Sequence, residues 1–577
     1  MRGYARLLAV ILACVLIIAG CSSNNNGNNA GNAQPSGNAA NAPGDTDGKG
    51  TGGETGERDL SPITFTMFSA DLNPNYENMQ SPVGQEITKR TGVTLNIEYP
   101  VGDIKQKISL MAASGDYPDL IFAKGDQNIL VDAGAFIDLT DLIEEHGPNL
   151  KKLYGPYLKR LRYSKDDPSI YFVGSFGVDA QQWQPNNGFQ LQHAAVKEAG
   201  YPSIKTLQDY EKVIKDYIEK NPTIDGQPAI GLSLIADDWR YLISVTNPAV
   251  FATGGPDDGE WYVDPQTHKA ALHHTRPEEK EYFRWLNHMN DIGLLDKESF
   301  IQKYDQYQAK ISSGRVVGLI DAKWQYEQAE LALRQEGKLD RMYGMYPVTM
   351  NENVKYADFQ SAGYSAGWGI GISSTAKDPV RAIQFLDWLA SEEAQILNNW
   401  GIEGVHYTIH DGKRVISDEE MNKRTTDPEY GKKTGIGVYT YPFPQYGDGV
   451  LDSTGQTYTI NSKEQIAKNY TDVEKEVLSK YGAQMWMDLY PAADEFPVKP
   501  WGAAWQINIP QETDAAVQMQ RISDIIKKRI PEAILAKPDQ FDAVWDSFMS
   551  DIQREGLDQL TEEFNGLLQE RLELWND

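Results

Sequence analysis

Between residues 62 and 150 the apolar pattern changes period again and again, and this alternation restricts the fold more than any other feature of the chain. "PITFTMFS" (62–69) sets Ile63, Phe65 and Met67 against threonines, the two-residue period of a half-buried strand. "GQEITKRTGVTLNIEYPVG" (84–102) reads as a short helix stopped at Gly92, then a strand over 93–99. Residues 103–126 read as a helix with Ile104, Ile108, Leu110 and Met111 on one side, a turn at Gly115-Asp116, and a strand over 119–123. Residues 130–150 give a helix capped at Gly134, a short extended piece and another helix. Strand and helix alternating in this way build a parallel α/β sheet covered by helices.

After "IYFVGSFG" (170–177) the pattern repeats more loosely. Residues 190–220 read as helical, "AIGLSLI" (229–235) as a strand, and 276–295 as an amphipathic helix stopped by Gly293. "GRVVGLIDAKW" (314–324) holds another strand. Residues 367–395 read as a strand and then a helix, with Asp378 as N-cap and Pro379 at its first position. From about Ala515 the chain is mostly helical, with Leu557, Leu560, Phe564 and Leu567 on one face. The 577 residues, 40% hydrophobic and 24% charged, suffice for two to four domains by length.

Both cysteines, Cys14 and Cys21, lie near the start. From Ser22 onward a disulfide framework, a Cys-ligated zinc or iron–sulfur site and a thiol nucleophile are therefore excluded. Arg2 and Arg6 precede an apolar run over 7–18, which suits a secretory signal and is short of the ~20 residues a stable span needs. It ends in Ile18-Ala19-Gly20-Cys21, which resembles the bacterial lipobox. That resemblance implies a lipoprotein signal peptide over 1–20, cut before a lipidated Cys21. Residues 22–60 carry almost no apolar side chain larger than Ala, so 21–60 reads as a lipidated cysteine and a flexible tether reaching ~35 Å on average. The expected location is the extracellular face of the cell membrane, held by the lipid anchor only. No further apolar stretch of spanning length follows, so a channel or permease is not expected. The net charge of −28 argues against nucleic acid and against binding an anionic lipid surface by charge alone.

Five stretches carry a family likeness. "TKRTGVTLNIEYP", "MAASGDYPDLIFAKGD", "AFIDLTDLIEEHGPNL", "SSGRVVGLIDAKWQ" and "AIQFLDWLASEEAQ" resemble the extracellular solute-binding proteins (family 1-like) of sugar-importing ABC transporters. The length, the aromatic content and the C-terminal extension are most similar to the large Gram-positive lipoprotein branch related to alginate-oligosaccharide binders. The resemblance implies an α/β, two-lobe periplasmic-binding-protein-like fold (type II), with a hinge between the lobes and a helical C-terminal extension. It places 61–175 plus 363–405 in lobe 1 and 176–362 plus 406–577 in lobe 2, with crossings near 171–180, 360–368 and 401–410. The alginate-binding relatives carry a calcium loop; here the matching "EKNPTIDGQPAIG" (219–231) lacks the alternating oxygen ligands calcium takes, so neither calcium nor any other cofactor is expected.

A sugar site needs flat apolar walls and a few planar polar groups, placed where strands end or the chain crosses. Phe68, Ser69 and Asp71 follow the first strand, and Asp126 and Asn128 the third. Gln182 and Trp183 follow the first crossing, and Asp238, Trp239 and Arg240 follow "AIGLSLI". Trp324, Tyr364 and Trp368, and then Trp501 and Trp505 in "KPWGAAW", complete the ligand-binding candidates. Each aromatic could equally be ordinary core packing. "GWGIGIS" lacks the dinucleotide spacing, and GxxxxGK[ST] is absent. His268, His273 and His274 in "THKAALHH" read as a surface strand rather than a zinc site. The pairs Asp237/Asp238, Asp257/Asp258 and Glu419/Glu420 read as solvated charge, since neighbours on a strand point to opposite faces. The expectation is a monomeric, non-enzymatic binding protein with a carbohydrate, most simply an oligosaccharide, as ligand and ABC permease subunits as partners. The alternatives are a surface-anchored polysaccharide-processing lyase or glycoside hydrolase, and a ligand sensor for a membrane kinase.

Overall fold

Two sheets organise the chain, each with its own core. The computed structural model describes residues 59–511 and 513–576, so the apolar run 7–18, Cys21 and the tether up to residue 58 lie outside the described residues. The first sheet has the order Val93–Glu98, Ile63–Ser69, Leu120–Phe122, Gly369–Ile372, Val173–Gly174. The first three strands are parallel, with Phe65 level with Leu95 and Met67 level with Leu120. The strand Gly369–Ile372 runs antiparallel to both of its neighbours. The all-parallel expectation fails here because this strand arrives from the second sheet without a crossover helix, and only a crossover enforces parallel pairing.

The second sheet has the order Tyr343–Tyr346, Asn187–Gln192, Val316–Ala322, Ile230–Ser233. Its strand Val316–Ala322 is buried at every position, which explains the apolar run from Val316 to Ile320. The strand Asn187–Gln192 overlaps a stretch that reads as helical. Its glutamines are buried and bond main chain: Gln190 Nε2 donates to the Asp321 carbonyl (2.8 Å) and Gln192 Nε2 to that of Gly314 (2.8 Å). Polar residues that satisfy themselves on a neighbouring strand hide the strand period.

Local signals set the covering helices. Asp378 caps Pro379–Leu389 by accepting from Arg381 N (3.0 Å), and Ser81 caps Pro82–Thr91, which Gly92 ends in the left-handed conformation. Asp514–Leu535, Phe541–Arg554 and Leu557–Asn576 form the C-terminal layer against the second sheet's core. The buried stripe of the last helix runs Leu560, Phe564, Leu568, Leu572, so Leu557 and Leu567 stand at its edges. Asn287 Nδ2 donates to the carbonyls of Ala533 (3.1 Å), Ile534 (2.9 Å) and Ala536 (2.7 Å), tying Pro277–Asp291 to the end of the long helix. No helix among the described residues is long and apolar enough to cross a membrane.

The chain passes between the cores at 175–186 and again before Gly369. The third passage comes later than residues 401–410. Val438, Tyr439, Phe443, Tyr446 and Tyr458 still pack in the first core, and Ile466 is the next core residue to enter the second. Residues 438–458 therefore belong with the first sheet, although the sequence reading groups them with the second lobe. Their aromatics are scattered among Gly and Pro without helix or strand period, so the pattern names no partner. Residues 219–231 include a hairpin, Thr223–Ile224 with Gln227–Pro228, turned by Asp225 (φ +50°) and Gly226 (φ +78°).

Candidate functional site

Segments that follow strands of both sheets line a cleft of about 740 Å³, including Lys105, Gly125 and Asn128 on one side and Trp239, Glu260 and the helix Asp514–Leu535 on the other. Beside it, at the strand ends, stands a polar cluster whose Ser69, Asp71 and Tyr441 line a separate cavity of about 210 Å³. Ser69 closes the first strand, buried, with its hydroxyl on the Asp71 carbonyl (3.0 Å). The Asp71 carboxylate accepts from Lys124 Nζ (3.0 Å) and from the Tyr441 hydroxyl (2.8 Å). Burial, then the Asp71 charge, pushes the Tyr441 phenol well up, so it stays a donor. Lys124 holds φ +55° just past the strand Leu120–Phe122, a conformation that costs a residue with a Cβ ~1–2 kcal/mol. The strain aims its ammonium between two indoles, 5.1 Å from the ring centre of Trp368 and 5.6 Å from that of Trp239.

Aromatic faces extend outward from this ammonium. Trp239 stacks on Trp324 (centroids 5.8 Å, 22°), and the two are 43% and 51% exposed. Large apolar side chains left in water mark a recognition surface. Arg240 lies over Trp239 (4.8 Å) and Tyr304 (4.1 Å) and pairs with Asp238 (2.5 Å). On the other side Trp368 meets Trp505 at 4.7 Å, with Phe176 against both. Deeper in the cleft, Glu260 accepts from the Tyr241 hydroxyl (2.7 Å) and from Ser523 (3.0 Å), while burial pushes its carboxyl up. Burial likewise raises Asp126, opposed by Lys105.

Of the residues singled out from sequence, Asn128, Trp239 and Trp505 line this cleft, Asp126 is next to its lining residue Gly125, and Arg240, Trp324 and Trp368 reach it through ring contacts with Trp239 and Trp505, Asp238 being paired with Arg240. Ser69 and Asp71 line the separate cavity of about 210 Å³, Phe68 is buried and Gln182 is exposed. Three more lie in or against the cores. Tyr364 is buried in the first core against Tyr154 (5.6 Å) and Tyr157 (5.8 Å). Trp501 is buried with its indole N–H on Asp258 (3.3 Å). Trp183 is half-buried against the second core. Sequence reasoning missed Lys124, Phe176 and Tyr441. Lys124 carries a legible signal, since it lies two residues past a strand end; the other two carry none.

The remaining clusters have structural partners. His273 and His274 are buried, not on a surface strand, with His273 Nδ1 2.5 Å from Glu279. Asp258 is buried and pairs with Lys499 (3.1 Å), and Asp257 is half-buried. Asp237 accepts from Lys303 (2.7 Å), and Glu419 pairs with Lys423 (2.8 Å). The calcium-loop counterpart puts Asp225 against Lys338 (3.2 Å).

This geometry offers indole faces beside a carboxylate–ammonium pair, a combination that covers the C–H face of a polyol ring while bonding its hydroxyls. Among known proteins, the chain is 22% identical over 400 residues to lipoprotein LipO of Bacillus subtilis, covering 66% of this chain and 74% of LipO. It is 26% identical over 262 residues to the fructooligosaccharide ABC transporter substrate-binding protein FusA of Streptococcus pneumoniae, 43% of this chain and 47% of FusA. Its fold matches that of FusA in complex with kestose (TM-score 0.62, 20% identity, 89% of this chain and 99% of that one). It also matches alginate-binding protein AlgQ2 without calcium ion (TM-score 0.60, 18% identity, 90% and 98%). The family model described as bacterial extracellular solute-binding protein covers residues 83–401, more than half of the chain. The chain belongs to the bacterial extracellular solute-binding proteins.

Proposed function

We propose that this chain captures a carbohydrate, most simply an oligosaccharide, at the outer face of the cell membrane and delivers it to the permease subunits of an ABC importer. It is anchored there by lipid on Cys21, works as a monomer, and releases its ligand chemically unchanged. The observation that carries this reading is the run of contacts from Trp324 through Trp239, Lys124 and Trp368 to Trp505, which begins beside the second sheet, passes to Lys124 and Trp368 beside the first, and ends on the cleft wall. One sugar ring covers one or two such indoles; a row of them suits several rings. Two of the similar proteins are named for carbohydrates, FusA for fructooligosaccharide and AlgQ2 for alginate.

In this reading the two sheets are lobes that close on the ligand, as hinged binding proteins do. The hinge is the pair of passages where Ser175 N donates to the Trp368 carbonyl (3.0 Å), braced by the first-core segment whose Gly447 N donates to the Val178 carbonyl (2.8 Å). The test is a thermal-shift screen of the full chain against plant and microbial oligosaccharides, with chromatography of the recovered sugar. A ligand at 100 times its dissociation constant adds ~2.7 kcal/mol. One class of oligosaccharide is expected to raise the midpoint and to return intact. A cleaved sugar would move the assignment to a processing enzyme, and no shift across the panel would remove the carbohydrate.

A further inference from the structure

Beyond Asn128, Ile507 and Asn508, which line both spaces, the cleft adjoins a second cavity of about 310 Å³. Arg160, from the turn Gly155–Leu161, and Arg571, from the last helix, both face it. Their guanidiniums lie over one indole, with Cζ 4.5 and 5.1 Å from the ring centre of Trp575. Each is held by carbonyls. Arg160 Nη1 donates to Ala362 O (3.1 Å) and Tyr364 O (2.5 Å), and Arg571 donates to Ala503 O (3.3 Å) and Gln506 O (2.6 Å).

Among the described residues neither guanidinium forms an ion pair with a carboxylate. Among the described residues that line the cavity, Arg160, Arg162, Lys165 and Arg571 outnumber Asp132 and Glu570; Lys165 pairs with Glu573 (2.8 Å), and an excess of positive charge is left. Both arginines are half-buried, and carbonyl dipoles offset only part of the cost of partly desolvating two like charges side by side. Burial, then the Arg160 charge, pushes Arg571 down to about 9, yet arginine keeps its proton at neutral pH. The positive potential therefore persists. Acceptors are also left over. Gln127 and Asn128, each 3% exposed, line the same cavity, and Gln127 Oε1 and Asn128 Oδ1 have no hydrogen-bond partner among the described residues. The Gln127 amide N–H donates to Gly367 O (2.8 Å), which fixes its oxygen as the free end.

We infer that this cavity is a subsite for an acidic sugar of an oligosaccharide ligand, its carboxylate between Arg160 and Arg571 and its hydroxyls on Gln127 and Asn128. This rests on the carbohydrate reading above and adds the chemical class of one residue of the ligand. A purely structural role, stapling residues 362–364 and 503–506 to the last helix, would produce no preference for an acidic ligand. Isothermal titration of the full chain with uronic-acid-containing oligosaccharides and with their carboxyl-reduced counterparts separates the two. The acidic form is expected to bind at least tenfold more tightly. Arg160→Gln and Arg571→Gln are each expected to cut that ratio below threefold, and Arg571→Lys to keep more of it. Should a glutamine variant fail to fold, the wild-type pair alone decides. Equal affinity for the two forms, or a ratio unchanged in a folded glutamine variant, overturns the subsite while leaving the carbohydrate reading in place. Failure of acidic and neutral oligosaccharides alike to bind overturns both.

Discussion

Replacing Trp239 with alanine separates recognition from stability. The indole is 43% exposed, so roughly 100 Å² of its surface stands in water. A sugar ring covers one face, about half of that, and at ~25 cal/mol per Å² the covered face contributes ~1.3 kcal/mol. The expected result is an approximately tenfold weaker dissociation constant in Trp239→Ala, read by isothermal titration with the oligosaccharide found in the screen. The fold should hardly notice, because the Trp324 stack and the Lys124 and Arg240 contacts are half in solvent and worth a few tenths to ~1 kcal/mol each. Trp501→Ala is the opposite case: a fully buried indole bonded to Asp258 is lost, at ~3–5 kcal/mol of stability. If Trp239→Ala bound ligand within twofold of the parent, the exposed indole pair would not be the recognition surface.

Lys124→Gly should relieve the left-handed backbone, leave the melting midpoint unchanged or higher, and still weaken ligand binding about tenfold, because Asp71 loses its ammonium. Asp378→Ala removes a cap and is expected to lower stability by ~1 kcal/mol without altering the dissociation constant, as a melt and a titration together would show. Burial, then the nearby Asp257, raises Asp358 to about 7, so between the unfolded value near 4 and about 7 the folded chain holds a proton that the unfolded chain releases. Its contribution to stability therefore falls as pH rises through that window, and Asp358→Asn should flatten the decline of the midpoint between pH 4.5 and 7; an unchanged slope would count against the assignment. Cys21→Ser should move the protein from the membrane fraction to the medium.

What could be read in advance depended on whether a signal was local. The helix Pro379–Leu389 follows from Asp378, Pro379 and its apolar spacing, all within a dozen residues, and the strand Ile63–Ser69 follows from alternation alone. Asn187–Gln192 was hidden because the bonds that make Gln190 and Gln192 acceptable in a core come from residues more than a hundred positions away. The same holds for residues 438–458, whose aromatics fill a core begun nearly four hundred residues earlier. At the site, exposed tryptophans after strands were legible as candidates, but which of them face water was not: Trp239 and Trp501 look alike in sequence and differ only in what folds over them. Lys124 shows the limit from the other side, since its backbone strain exists only in the fold.

The most direct test of the central claim is the accessibility of the exposed indoles with and without ligand. Acrylamide quenching of the full chain and of Trp239→Phe and Trp324→Phe, each with and without the oligosaccharide that shifts the melt, assigns the change to those two rings. The account expects ligand to shield part of the parent emission and to shield much less in either variant, with the sugar recovered intact. Tight binding with unchanged quenching, or the same shielding in both variants, would place the ligand elsewhere and contradict it.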